Sequence, residues 1–128
     1  MTGAEETVAR EILASARRLL DRASIDTRGL WPRAVVLLQR QAIEVALKTY
    51  WSAKARGVEE CSTRAQFLCL GSHLGNEPIA RRAHLAWTAL SRAAHFHPYE
   101  LPPTLEELVA WQETALQLVT ATEEAWRR

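Results

Sequence analysis

Apolar residues recur at intervals of three and four along most of this chain, which is the spacing of one face of an α-helix. Glycine and proline interrupt the pattern at a few points and mark the boundaries between helices. The predicted helices cover about 4–23, 31–55 and 62–70, a fourth begins near 76, and a fifth begins at 104. No segment shows the alternation of a β-strand, so the pattern predicts an all-α, up-and-down bundle of four to five helices.

Local signals mark several helix ends. Thr2 and Glu5 have the spacing of a capping box, and Thr104 opens another. Gly71 is predicted to follow the end of the third helix, and Asn76 to cap the start of the fourth. The residues predicted to face the core include Val8, Ile12, Leu13, Ala16, Leu19, Leu20, Val35, Leu38, Ala42, Ile43, Leu47, Tyr50, Ile79, Ala83, Ala86, Leu90, Ala93, Leu105, Leu108, Ala115, Val119, Thr122 and Trp126.

The length and composition predict one domain, residues 1–128, with a modest core. A net charge of +1 argues against a broad basic surface for non-specific DNA binding, but it allows a local cationic cleft. Cys61 and Cys69 match no disulfide or zinc pattern, so we expect them to be buried in a reducing compartment. The polar N-terminus and the absence of a long apolar run favour a cytoplasmic protein without a membrane span.

The candidate chemistry is concentrated near the end of the fourth helix, where Arg92 is followed by His97 and Tyr99. Arginine grips phosphate with a planar fork, and histidine transfers protons near neutral pH. Pro98 disfavours a helical conformation at His97, so we expect the helix to unwind there and to free that side chain to approach Arg92. A polar row of Arg81, His84, Thr88, Ser91 and His95 leads to this point along the same helix.

The spacing Arg92-x4-His97-x-Tyr99, late in a helical chain, resembles the R-x4-H-x-Y motif of the HEPN (higher eukaryotes and prokaryotes nucleotide-binding) superfamily. This form of the motif is typical of HEPN toxins that are paired with a minimal nucleotidyltransferase as antitoxin. The segment 33–48 is similar to the second helix of HEPN domains, and the resemblance covers most of the chain.

The resemblance implies a metal-independent endoribonuclease that acts as a homodimer, with RNA cleaved in a cleft between the protomers and with no cofactor. Arg92 and His97 would be the catalytic pair, and Tyr99 would position RNA or be adenylylated by the antitoxin. His95, Ser91 and Arg81 are further candidates for contacts with RNA.

Other interpretations of the same residues stay open. Arg92 and His97 are also suited to binding the carbonyl groups at a helix C-terminus, and Tyr99 to packing on the bundle end. Ala93 stands where many active HEPN proteins have a polar residue, which favours a non-catalytic module that binds a nucleotide or a protein. A metal site at His95 and His97 and a helical adaptor without a cleft function are weaker alternatives. The five tryptophans fit core or dimer packing better than base stacking.

Overall fold

The computed structural model describes residues 7–22, 31–95 and 101–128. These residues form five α-helices and a single 3₁₀ turn at Val58–Glu60, and none of them forms a strand. The α-helices are α1 (Val8–Asp21), α2 (Trp31–Lys54), α3 (Thr63–Leu74), α4 (Glu77–Ala94) and α5 (Leu105–Arg127). The protein is therefore an all-α helical bundle, as the sequence predicts.

Hydrogen bonds from side chains define the starts of the helices. α1 begins four residues later than predicted, because the Thr7 hydroxyl accepts the backbone N–H of Arg10 and so acts as the N-cap. Thr2 and Glu5 lie outside the described residues. The capping box at Thr104 is confirmed: its hydroxyl accepts the N–H of Glu107 at 3.1 Å, and the Glu107 carboxylate accepts the N–H of Thr104 at 3.0 Å.

The predicted end of the third helix is wrong by one turn. α3 continues through Gly71 to Leu74, and Gly75 ends it in the left-handed region with φ of 73°. Gly71 is buried inside the helix, where the side chain of Glu77 occupies the space that a Cβ atom would need. A Cβ atom at Gly71 would require the flexible carboxyl end of Glu77 to move, and the chain turns at the next glycine.

Two contacts fix the direction of α1 against α5. The Gln112 amide donates to the carbonyl of Leu13 at 2.8 Å, and Arg10 contacts Glu123. Residue numbers fall along α1 as they rise along α5, so these helices are antiparallel. α2 runs parallel to α5, because Gln39 near its start donates to the carbonyl of Leu108 at 2.9 Å, while its second half lies beside the second half of α5 around a small cavity.

α4 runs opposite to both α2 and α5. Arg82 donates to Gln117 at 3.1 Å, and Trp87 donates to Glu44 at 3.2 Å. Only residues 95–104 separate α4 from α5 in the sequence, and helices joined by so few residues pack antiparallel. The four long helices therefore alternate in direction, and the end of α4 lies at the same end of the bundle as the starts of α2 and α5.

One hydrophobic core joins all five helices and contains most of the positions predicted to face it. Two of those predictions are wrong, because Val8 and Leu105 are 60% and 50% exposed. Each lies in the first turn of its helix at a bundle end, where the buried positions are Ala9 and Leu108.

The expected burial of the cysteines is also wrong. Cys61 and Cys69 are both exposed. Cys61 precedes the N-cap of α3, and Cys69 lies on the outward side of that helix, between the buried residues Phe67 and Leu70. Within the three described segments, no helix has both the length and the apolar character needed to span a membrane.

Candidate functional site at the end of α4

The candidate site is built where α4 ends. The last helical residue is Ala94, and His95 leaves the helix with φ of −86° and ψ of 119° while its N–H bonds to the carbonyl of Arg92. The helix therefore ends before Pro98, as predicted, but unwinding begins at His95 and not at His97. Proline directly disfavours helix only at the residue before it, and here the last turn has already tightened into an i→i−3 hydrogen bond.

Only part of the predicted site lies within the described residues. Arg92 is exposed in the last turn of α4, and His95 is exposed at its end. Three residues apart across the last turn, they lie on one side of the helix terminus. His97 and Tyr99 lie outside the described residues, so the predicted approach of His97 to Arg92 stays a prediction.

The outward stripe of α4 is rotated relative to the polar row predicted from the sequence. His84 and Ser91 are half-buried, whereas five residues at steps of four and three are exposed. These residues are Arg81, Leu85, Thr88, Arg92 and His95. Arg92 therefore lies within the exposed stripe and not beside it. Arg81 lies about 16 Å from Arg92 along the helix axis, which is too far for both to contact one phosphate group.

Ser91, predicted as an RNA contact, has its hydroxyl turned inward. The Oγ atom is buried and has no hydrogen-bond partner among the described residues. A buried hydroxyl without a hydrogen-bond partner among the described residues costs free energy, and this one lies on the residue before Arg92.

The structure adds to the site a polar network that the sequence analysis missed. The indole N–H of Trp87 on α4 donates to Glu44 Oε2 on α2 at 3.2 Å, and Arg40 Nε lies 3.5 Å from the same oxygen. The spacing of Arg40 and Glu44 (i, i+4) is a known signal for an ion pair on a helix. The sequence does not show that a tryptophan on another helix joins this pair.

Charge is divided unevenly between the two helices that meet at this end. α4 carries Arg81, Arg82 and Arg92 against the single acidic residue Glu77, whereas α5 carries five glutamates and only Arg127. The net charge of +1 therefore conceals a basic α4 and an acidic α5. An exposed basic stripe that ends at Arg92 and His95 is attractive to a polyanion.

The remaining described histidines have structural contacts. The ring of His84 stacks on Phe67 with 4.9 Å between centroids, and His73 Nδ1 lies 2.5 Å from the Tyr50 hydroxyl. Burial raises the pKa of Tyr50, against the opposing charge of Arg128. These two histidines thus help to pack α3 against α4 and α2.

The described parts of the chain hold no cluster of three or more histidine, cysteine, aspartate or glutamate side chains with the arrangement of a metal site. A site at His95 and His97 stays a hypothesis, because His97 lies outside those parts. No family model, no curated protein and no solved structure matches this chain. The resemblance to HEPN proteins therefore depends on the motif and on the order of the helices.

Proposed function

We propose that this protein is a metal-independent endoribonuclease of the HEPN type, of the toxin or defence class, which cleaves RNA in a cleft between two copies of the chain. One observation carries the proposal. Arg92 presents an exposed guanidinium at the end of α4, without an ion pair or side-chain hydrogen bond to any described residue, just before the motif histidine. A structural arginine at this position would be expected to bind a carboxylate or a carbonyl group of the bundle.

The proposed reaction uses the 2′-hydroxyl group of RNA as the nucleophile. Arg92 binds the scissile phosphate and stabilises the negative charge that develops on it, an effect worth several kcal/mol in a preorganised site. His97 removes the proton of the 2′-hydroxyl or protonates the leaving 5′-oxygen, a role that histidine, with a reference pKa of about 6.5, can fill. A second copy related by twofold symmetry supplies another Arg92 and His97 around the same phosphate.

Regulation by a partner is part of the proposal. A minimal nucleotidyltransferase transfers a nucleoside monophosphate from a nucleoside triphosphate to the Tyr99 hydroxyl and releases pyrophosphate, which adds negative charge and bulk to the proposed cleft. Both changes oppose the entry of an RNA phosphate, so the modified protein is inactive. Such pairs act in the cytoplasm, which is the location we propose.

A second candidate is a non-catalytic module that binds a nucleotide or a protein through the same surface. Ala93 favours it, because this residue packs against the hydrophobic core and provides no polar group beside Arg92. Active HEPN proteins often use a polar residue there to orient the catalytic groups. His95, exposed at the end of the helix, is the nearest described group that would take this role.

The test is incubation of the purified protein with mixed single-stranded RNA in EDTA. We expect cleavage by the wild type and its loss in both Arg92→Ala and His97→Ala. Arg82→Ala is the matched control, because Arg82 is an exposed arginine of the same helix whose side chain is bound to Gln117 of α5. Absence of cleavage by the wild type, with tight binding of a nucleotide, would establish the second candidate instead.

A further inference from the structure

Arg40 is a half-buried arginine whose charge is only partly used inside the protein. Its Nε atom is buried, and it lies 3.5 Å from Glu44 Oε2 without the geometry of a hydrogen bond. Neither terminal nitrogen has a hydrogen bond or an ion pair with a described residue, and the side chain is 33% exposed. The planar end of the Arg40 guanidinium, which can bind an oxyanion, is therefore available on the outer surface where α2 meets α4 (the α2/α4 seam).

Glu44 and Trp87 restrict where Arg40 can point. The Glu44 carboxylate contacts the guanidinium on one side, and the Trp87 indole on α4 donates to the same oxygen at 3.2 Å. An exposed ion pair contributes little to stability, because screening and the loss of side-chain freedom offset the attraction. The arrangement is explained better as a means of orienting Arg40 than as a means of stabilising the fold.

The helix register places Arg40 beside the candidate site. α2 and α4 are antiparallel, and Glu44 contacts Trp87. Moving one turn toward the start of α2 from Glu44 therefore leads to the same end of the bundle as moving one turn toward the end of α4 from Trp87. These steps reach Arg40 and Ser91, each about 6 Å along the seam. Each carries a buried polar atom without a hydrogen-bond partner among the described residues, so the two side chains do not bond to each other. Arg92 is the next residue after Ser91.

We propose that Arg40 is a second phosphate-binding arginine of this site, oriented by Glu44 and Trp87, which binds the RNA phosphate next to the one bound by Arg92. The inference rests on the proposed function for its substrate class. It extends the site from the end of α4 to the adjoining surface of α2. It also assigns a role to the α2/α4 network, which the chemistry of Arg92, His97 and Tyr99 does not use.

The experiment measures binding of a fluorescent single-stranded RNA in which each 2′-hydroxyl is replaced by a methoxy group, so that no cleavage occurs. Affinity is measured over a range of salt concentrations for the wild type, Arg40→Gln, Arg40→Lys and Glu44→Gln. Arg10→Gln is the matched control, because Arg10 also pairs with a glutamate but does so between α1 and α5. Glutamine retains part of the aliphatic stem that packs in the seam.

We expect Arg40→Gln to weaken binding about 10-fold at low salt and to lower the salt slope by about 0.7, the value for one phosphate contact on a single strand. Arg40→Lys should restore the slope but only part of the affinity, because lysine lacks the fork. Glu44→Gln should weaken binding about 3-fold with an unchanged slope. Arg10→Gln should change neither quantity.

Wild-type affinity and slope in Arg40→Gln would overturn the inference, as would a wild type that does not bind this RNA. If Arg40→Gln does not fold, as judged by circular dichroism, Arg40→Lys decides: wild-type affinity in that variant overturns the inference, and weaker binding supports it. The proposed function fails separately, by a lack of RNA cleavage in EDTA. Cleavage with unchanged binding in Arg40→Gln would leave the nuclease intact and remove only the role of Arg40.

Discussion

Two glutamates join helices of this bundle, and their surroundings differ. Glu123 of α5 is almost fully enclosed: Arg10 of α1 donates to its Oε1 at 2.8 and 3.3 Å, the Thr7 hydroxyl donates to its Oε2, and the second hydrogen bond of the Arg10 terminal nitrogen goes to Thr120 at 3.2 Å. Glu44 of α2 is 38% exposed, and its arginine lies 3.5 Å away with both terminal nitrogens unused by the described residues.

The difference separates a contact that holds the fold from one that is available to a ligand. At Glu123 the donors and acceptors satisfy each other, so that contact stabilises the bundle. At Glu44, Trp87 supplies a hydrogen bond from α4, whereas the terminal nitrogens of Arg40 have no partner among the described residues. Trp87 joins this network to α4, one turn before Ser91 and Arg92. Substitutions at the two places are therefore expected to have opposite effects on stability and on RNA binding.

The largest effect on activity is expected from substitution of Arg92, at the end of α4. Arg92→Ala should lower the rate of RNA cleavage by about 10²–10³, because it removes the group that stabilises charge on the scissile phosphate. The melting temperature should stay within about 2 °C of the wild type, since an exposed side chain without a partner among the described residues contributes little to folding. Cleavage of a labelled RNA and thermal melting measure the two quantities. A large loss of stability would mean that Arg92 is a structural residue.

At the enclosed contact between Arg10 and Glu123, Arg10→Gln should lower the free energy of unfolding by about 2 kcal/mol. The substitution leaves the buried Glu123 carboxylate without its cation, and the cost is below that of a fully buried pair because Arg10 is 34% exposed. Chemical denaturation measures the loss. RNA cleavage by the folded variant should equal that of the wild type, and a loss of cleavage would remove the distinction between the two contacts.

The contact between Arg10 and Glu123 should also make the stability of the protein depend on pH. Burial opposes ionisation of Glu123, but hydrogen bonds from Arg10 and Thr7 and the charges of Arg10 and Arg127 outweigh it, so the pKa of this carboxyl is lowered. The resulting stability is fully present above the unfolded pKa of about 4.3 and is lost as the pH falls through the folded value. Thermal melts from pH 7 to pH 3 should show the wild type more stable than Glu123→Gln near neutrality, with the gap narrowing below about pH 4. Glu124→Gln, at the exposed neighbouring residue, is the control.

The smallest effect is expected at Ser91. Its buried hydroxyl has no partner among the described residues, so Ser91→Ala should raise the free energy of unfolding by about 0.5–1 kcal/mol through relief of desolvation and better helix propensity. The matched comparison is Thr122→Ala, because the Thr122 hydroxyl is buried and donates to the carbonyls of Leu118 and Val119. That substitution should destabilise. Denaturant melts of both variants measure the difference, and destabilisation by Ser91→Ala would show that the hydroxyl has a partner after all.

Most of the fold could be predicted from local signals. The recurrence of apolar residues every three or four positions indicates the five helices. Asn76 and Thr104 cap their helices as predicted. The errors in the predicted helices lie at helix ends. Thr7 and not Thr2 caps α1, and the chain turns at Gly75 and not at Gly71.

The candidate site could be predicted only in part. The sequence indicated Arg92 and the end of its helix before Pro98, because both follow from residue types close together in the chain. It did not indicate that Trp87 and Glu44, which are 43 residues apart, share a hydrogen bond. Nor did it indicate the inward direction of Ser91, since a short polar residue fits either side of a helix.

The sequence by itself determined the helical class, the number of helices and the place where α4 ends, since periodicity, capping residues and proline act within one or two turns of the chain. Only the tertiary structure decided which polar residues satisfy one another. The packing of α2 against α4 brings Trp87 to Glu44, and the packing of α1 against α5 encloses Glu123. Such pairings depend on helix direction and register, which are set by burial of the whole core and not by the residues that meet.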